Sequence, residues 1–101
     1  MEMEKIKQAF LSKGIDLGEY GQVRTRVDFS SNVEGHSSPI VVFLGVYMNY
    51  LTVSLSSNSL IVVEPFKRKI DSLENIDQAA EECVDLYKKL IKQAEELSKI
   101  I

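Results

Sequence analysis

The sequence is poor in the residues that build reactive or cross-linked sites. Its 101 residues include no tryptophan, two prolines, one cysteine (Cys83) and one histidine (His36). A single cysteine excludes a disulfide within the chain and favours a reducing compartment, so we expect a cytoplasmic, intracellular protein. One cysteine and one histidine also fall short of the four ligands of a structural zinc site, so no metal site is expected.

Motifs for catalysis are missing as well. The five glycines are scattered and form neither a phosphate-binding loop nor a dinucleotide-binding turn. A catalytic pair of nucleophile and histidine would need His36, which lies in the turn-rich segment 30–39, a setting typical of an exposed histidine. Cys83 lies among acidic residues, which disfavour a thiolate. The sequence therefore predicts no catalytic residues, no cofactor and a protein that is not an enzyme.

Long hydrophobic runs are also absent. The longest nearly apolar stretch, residues 39–48, is about half the length of a membrane span. The first ten residues are charged and amphipathic, unlike the basic start and apolar run of a signal peptide. We therefore expect neither membrane insertion nor secretion.

The first segment with a regular spacing of apolar residues is predicted to be a helix. Residues 2–13 carry apolar side chains at spacings of three and four, with charged residues between them. Gly14 follows, where a left-handed helix cap belongs. In the loop that comes next, Ile15, Leu17 and Tyr20 are expected to point inward.

Four segments with strand character follow. Residues 23–29 alternate between apolar and polar side chains, and residues 50–55 do so again. Residues 40–48 are apolar at nearly every position, which is typical of a central strand. A fourth strand, residues 60–63, is expected to end at Pro65.

The C-terminal segment has the most regular pattern in the chain. Nine residues recur at alternating steps of three and four, which forms an unbroken heptad seam and predicts a long helix. Asp71 or Asn75 can act as its N-cap. The seam consists of Leu73, Ile76, Ala80, Cys83, Tyr87, Leu90, Ala94, Leu97 and Ile101.

These segments predict one α+β domain over residues 1–101, with the element order α-β-β-β-β-α. Short links between successive strands predict an antiparallel meander sheet. The short N-terminal helix and the long C-terminal helix are expected to pack on one face of that sheet.

The length of the C-terminal helix predicts a contact surface. Twenty-nine residues span about 43 Å as a helix, whereas a strand of six to nine residues covers about 20–30 Å. The helix should therefore overhang the sheet, and its apolar end needs a cover, either the first helix or another chain. The apolar strand 40–48 points to the second face of the sheet as a further contact.

The sequence thus favours a small non-enzymatic interaction protein that self-associates, as a dimer first, with another protein as the alternative partner. The predicted interface residues are Tyr87, Leu90, Ile91, Ala94, Leu97 and Ile101 on the helix, with Phe43 and Val46 on the sheet.

Basic residues support an alternative function, that of a nucleic-acid-binding regulator. Residues 1–70 hold eight Lys and Arg against seven Asp and Glu, whereas residues 71–101 hold four against eight. The acidic C-terminal third disfavours general phosphate binding but leaves room for a local basic patch. Such binding should be weak, salt-dependent and indifferent to sequence. The candidate contacts are Arg24, Arg26, Lys67, Arg68 and Lys69, with Phe66 or Tyr20 as stacking groups.

Overall fold

The computed structural model describes residues 3–28, 39–57 and 60–100, and within them the predicted order of helices and strands is confirmed. His36, Ile101 and most of the segment 30–39 lie outside the described residues. The elements are helix α1 (Met3–Leu11), strands β1 (Gln22–Val27), β2 (Ile40–Tyr47), β3 (Tyr50–Ser57) and β4 (Leu60–Lys69), a short 3-10 helix (Ile70–Ser72) and helix α2 (Ile76–Ile100).

The four strands form one antiparallel sheet in the order β1-β2-β3-β4, so the predicted meander is confirmed. β2 and β3 are joined by a tight turn at Met48 and Asn49, which both have the positive φ of a type I′ hairpin. The start of β1 lies so close to β2 that a Cβ on Gly45 would be 2.5 Å from the carbonyl oxygen of Gly21. Glycine at position 45 therefore permits the first residues of β1 to pair with β2.

Strand β4 is longer than the sequence predicts. It extends from Leu60 to Lys69, so the prediction that it ends at Pro65 is wrong. β4 lies at the edge of the sheet, where a proline can be placed without losing a hydrogen bond to a neighbouring strand. The register with β3 also shifts between Val53 and Leu55, next to this proline. An edge position and a local bulge together accommodate a residue that a central strand excludes.

The helices pack against one face of the sheet, as predicted, and no described helix covers the other face, which we call the open face. Alternate residues of the two central strands form the covered face: Val42, Leu44 and Val46 from β2, and Leu51, Val53 and Leu55 from β3. Val46 was a candidate contact on the open face together with Phe43. It lies instead on the covered face, because residues an odd number apart on a strand point to opposite sides.

Helix α2 begins later than the heptad seam predicts. Leu73 lies before the helix, which starts at Ile76 after the short 3-10 helix. Of the two candidate caps, Asn75 is the one used, since its Oδ1 accepts a hydrogen bond from the backbone N–H of Gln78 at 3.0 Å. Asp71 is part of the 3-10 helix.

Candidate interaction surfaces

Most of the apolar side of α2 is covered by its own chain. Tyr87, Leu90 and Ala94, three candidate interface residues, belong to the buried core. α2 has 25 residues, or about 37 Å, and it packs against helix α1 as well as against the sheet. Among the candidates on this helix that the structure describes, Ile91 is partly buried and Leu97 is exposed.

Tyr87 links α2 to strand β1. Its hydroxyl lies 2.6 Å from Oγ1 of Thr25, a distance that makes a good hydrogen bond. Tyr87 is buried and Thr25 is half-buried, so the bond is largely shielded from water. The tyrosine therefore stabilises the position of the edge strand within its own chain.

Cys83 lies in the core with no exposed surface. Burial and, to a lesser extent, the charge of Glu82 raise the pKa of its thiol from 9.0 to about 12, against an opposing effect of Arg68. The thiol is thus protonated at neutral pH and is not a nucleophile there.

Metal-binding clusters and membrane-spanning helices are both absent from the part of the chain that the structure describes. No three His, Cys, Asp or Glu side chains are grouped there in a way that could hold a metal ion. Over the same ranges, neither helix combines the length and the hydropathy that crossing a bilayer requires.

The first half of β4 is an exposed apolar edge. Leu60, Ile61, Val62 and Val63 each expose between 42% and 69% of their surface, and none of them is charged. We call these four residues the aliphatic edge. Within the described ranges β4 has one neighbouring strand, so the backbone groups on its outer side point away from the sheet. An uncharged, exposed edge strand is a template to which a strand of another chain can add.

The opposite edge of the sheet is protected by charge. β1 has six residues, and Arg24 and Arg26 alternate with half-buried neighbours along it. Arg26 Nε donates a hydrogen bond to Oδ1 of Asp28 at 2.9 Å. Charged side chains on an edge strand disfavour its pairing with another strand.

The open face of the sheet contains a groove of about 520 Å³, which extends from Arg24 on β1 to Lys67 on β4. Its floor includes Thr52 and Ser54, which are more than nine-tenths buried although no described helix covers this face. We call this depression the open-face groove. Its volume falls within the range of ligand-binding clefts. Its other lining residues are Val41, Phe43, Tyr47, Met48, Tyr50, Ser56, Ile61 and Glu64.

Two of the five basic candidates border the open-face groove, and each lies over an aromatic ring. The guanidinium carbon of Arg24 is 5.4 Å from the centroid of Phe43, and Nζ of Lys67 is 4.9 Å from that of Tyr50. These distances are those of cation–π contacts, which hold the two charges at the margins of the groove.

The predicted five-residue basic patch is divided between the two faces of the sheet. Arg68 lies on the side of the helices, 4.7 Å over the ring of Phe66 and 3.9 Å from Glu82. Lys69 pairs with Tyr50 and so lies on the open side with Lys67. Consecutive residues on a strand alternate in direction, which accounts for the separation of Arg68 from its neighbours.

Of the aromatic residues in the groove, the sequence predicts Phe43 as an interface residue and does not indicate Tyr47 or Tyr50. Of the two predicted stacking groups, Phe66 is buried. Tyr20 is 80% exposed, so the prediction that it points inward is wrong. The groove is lined by Phe43, Tyr47 and Tyr50 instead. Tyr47 pairs with Tyr50 across the hairpin, and Phe43 lies four residues earlier on the same side of β2.

The chain matches no protein-family model, and neither a curated protein nor a solved structure has significant similarity to it. Its function is therefore inferred from the chemistry of these surfaces.

Proposed function

We propose that this chain is a non-enzymatic interaction protein that self-associates by pairing the β4 strands of two copies. The aliphatic edge carries this proposal. It is the longest run of consecutive exposed apolar residues in the part of the chain that the structure describes.

Two physical effects favour such pairing. Apolar surface removed from water contributes about 25 cal/mol per Å², and the aliphatic edge offers four large side chains on each copy. The outward backbone groups of β4 would also gain partners in a second strand. Neither effect is opposed by charge, because residues 60–63 have none.

A twofold axis gives the simplest arrangement. An axis at Val62 would place Val62 opposite its own copy and Ile61 opposite Val63 of the second copy, in antiparallel orientation. Pro65 and the basic end of β4 would then lie beyond the paired segment. The two sheets would join into one of eight strands, with all helices on the same side.

The paired segment is short, so the interface should be modest. Stable specific interfaces bury about 1,200–2,000 Å² in total, and four strand residues from each copy supply only part of that area. We therefore expect a reversible dimer whose measured mass depends on protein concentration.

Helix α2 is a weaker candidate for self-association. Leu97 is its one well-exposed candidate among the described residues, since Tyr87, Leu90 and Ala94 are buried in the core. A single leucine buries too little surface to hold two chains together.

The decisive test is a solution mass measurement over a range of concentrations. The wild-type chain should approach twice its monomer mass of 11.4 kDa at high concentration. Val62→Lys, which places a charge in the aliphatic edge, should remain monomeric because a buried, unpaired lysine opposes pairing. Both chains should keep the same circular dichroism spectrum.

Leu97→Lys is the matched control. It adds the same charge at an exposed apolar position outside β4, and it should dimerise like the wild type. A wild-type chain that stays monomeric at high concentration would contradict self-association. A loss of dimer in Leu97→Lys, but not in Val62→Lys, would move the interface to helix α2.

A further inference from the structure

Charge is distributed unequally between the two sides of the molecule. Helix α2 carries six Asp and Glu against four Lys. Among the described residues on the open side of the sheet the balance is reversed, with Arg24, Arg26, Lys67 and Lys69 against Asp28 and Glu64. A chain with a net charge of −3 thus presents a locally positive surface around its open-face groove. Such a surface complements a polyanion.

The positions of the basic and aromatic groups narrow the class of polyanion. Arg24 and Lys67 lie on the two outer strands, which are separated by three strand spacings, or about 14 Å. Phe43 and Tyr50 lie on the two central strands between them. Positive charge therefore flanks aromatic rings on one concave surface. This is the arrangement in which phosphates meet cations while bases stack on rings.

We propose that the open-face groove binds single-stranded nucleic acid. The strand would cross the sheet from β1 to β4, with phosphates near Arg24 and Lys67. Its bases would stack on the rings of Phe43 and Tyr50 after the cations move aside from them. The exposed ring of Tyr47 at the hairpin extends the stacking surface.

A single strand fits this groove better than a duplex does. Reading a duplex in the major groove requires a helix or a two-stranded ribbon that projects from the protein. The open face projects neither, since both described helices pack on the other side. In a single strand the bases are unpaired and can lie flat against side chains in a shallow groove.

The groove offers little means of reading the base sequence. Its floor hydroxyls belong to Thr52 and Ser54, which are more than nine-tenths buried. Stacking on rings and contacts to phosphates discriminate weakly among bases. The expected ligand is therefore any flexible single strand, bound with moderate affinity.

The test is an anisotropy titration with a fluorescently labelled oligothymidylate of about ten nucleotides. The wild-type chain should bind it at low salt and bind a duplex of similar length more weakly. Two phosphate contacts predict a slope of about −1.4 for the logarithm of the binding constant against the logarithm of salt concentration. Arg24→Gln with Lys67→Gln should bring the slope close to zero and weaken binding.

Two further variants separate this site from general attraction between charges. Lys88→Gln with Lys89→Gln removes the same charge from α2 and should leave the affinity almost unchanged. Tyr50→Leu should weaken binding at least about fivefold without changing the salt slope, because it removes stacking and leaves the cations. Val62→Lys should still bind, since this site does not depend on self-association.

Several results would overturn the proposal. The first is no binding at low salt, and the second is equal or tighter binding of the duplex. The third is an equal loss of affinity in the α2 double variant and in the Arg24→Gln, Lys67→Gln double variant. Equal competition by polyglutamate at matched charge would assign the groove to acidic chains in general and not to nucleic acid.

Discussion

The two edges of the sheet, β1 and β4, differ in almost every property that governs pairing between strands. β1 is short, carries Arg24 and Arg26, and is held to the helix layer by the hydrogen bond between Thr25 and Tyr87. β4 is longer, and its first half exposes four uncharged aliphatic residues. The same antiparallel meander thus ends in one protected edge and one unprotected edge.

This difference separates the residues that stabilise the fold from those that remain exposed to solvent. The side chains of β1 either make contacts within the chain or carry charges that disfavour pairing with another strand. At β4 the stabilising contacts are concentrated in the second half, where Phe66 is buried, and the first half contributes little to the core. Residues 60–63 are therefore apolar without a role in the described core.

The largest effect is expected within β4 itself. Phe66→Ala should lower the free energy of unfolding by about 3–5 kcal/mol, because it removes a buried aromatic ring and leaves a cavity. Leu60→Ala, at an exposed position on the same strand, should change it by less than about 0.5 kcal/mol. Denaturant unfolding at low protein concentration measures both. Similar losses in the two variants would mean that the aliphatic edge stabilises the monomer.

A smaller loss of stability is expected when the contact between β1 and α2 is removed. Tyr87→Phe should cost about 0.5–1.5 kcal/mol of stability, since it removes one hydrogen bond from a well-packed site. Thr25→Val removes the same bond from the other side and serves as the control. In a double-mutant cycle the two changes should couple by about 1 kcal/mol, and simple additivity would show that the bond does not hold β1 in place.

The fold could be predicted from the sequence because its periods are clear. The heptad seam indicated α2 and the alternation of residues 23–29 indicated β1, although each boundary differs by a few residues. The prediction that β4 ends at Pro65 is wrong, because a proline stops a central strand but is tolerated at an edge. Sequence alone does not show which strand lies at an edge.

The candidate surfaces are harder to predict from the sequence than the fold. The seam that predicts a helix does not show how much of the helix the sheet covers, so it predicts Leu90 and Ala94 as contacts although both are buried in the core. Alternation along a strand does separate Arg68 from Lys67, and Val46 from Phe43, because residues an odd number apart point to opposite faces. The aliphatic edge depends on strand order, which only the structure supplies.

The claim that β4, and not β1, pairs with a second copy is tested most directly by amide hydrogen exchange at low and at high protein concentration. Pairing through β4 predicts that amides in residues 60–63 exchange more slowly at high concentration, while those of β1 do not change. Val62→Lys should show no dependence on concentration. Slower exchange at β1 in place of β4, or no change at either edge while the chain dimerises, would contradict the account.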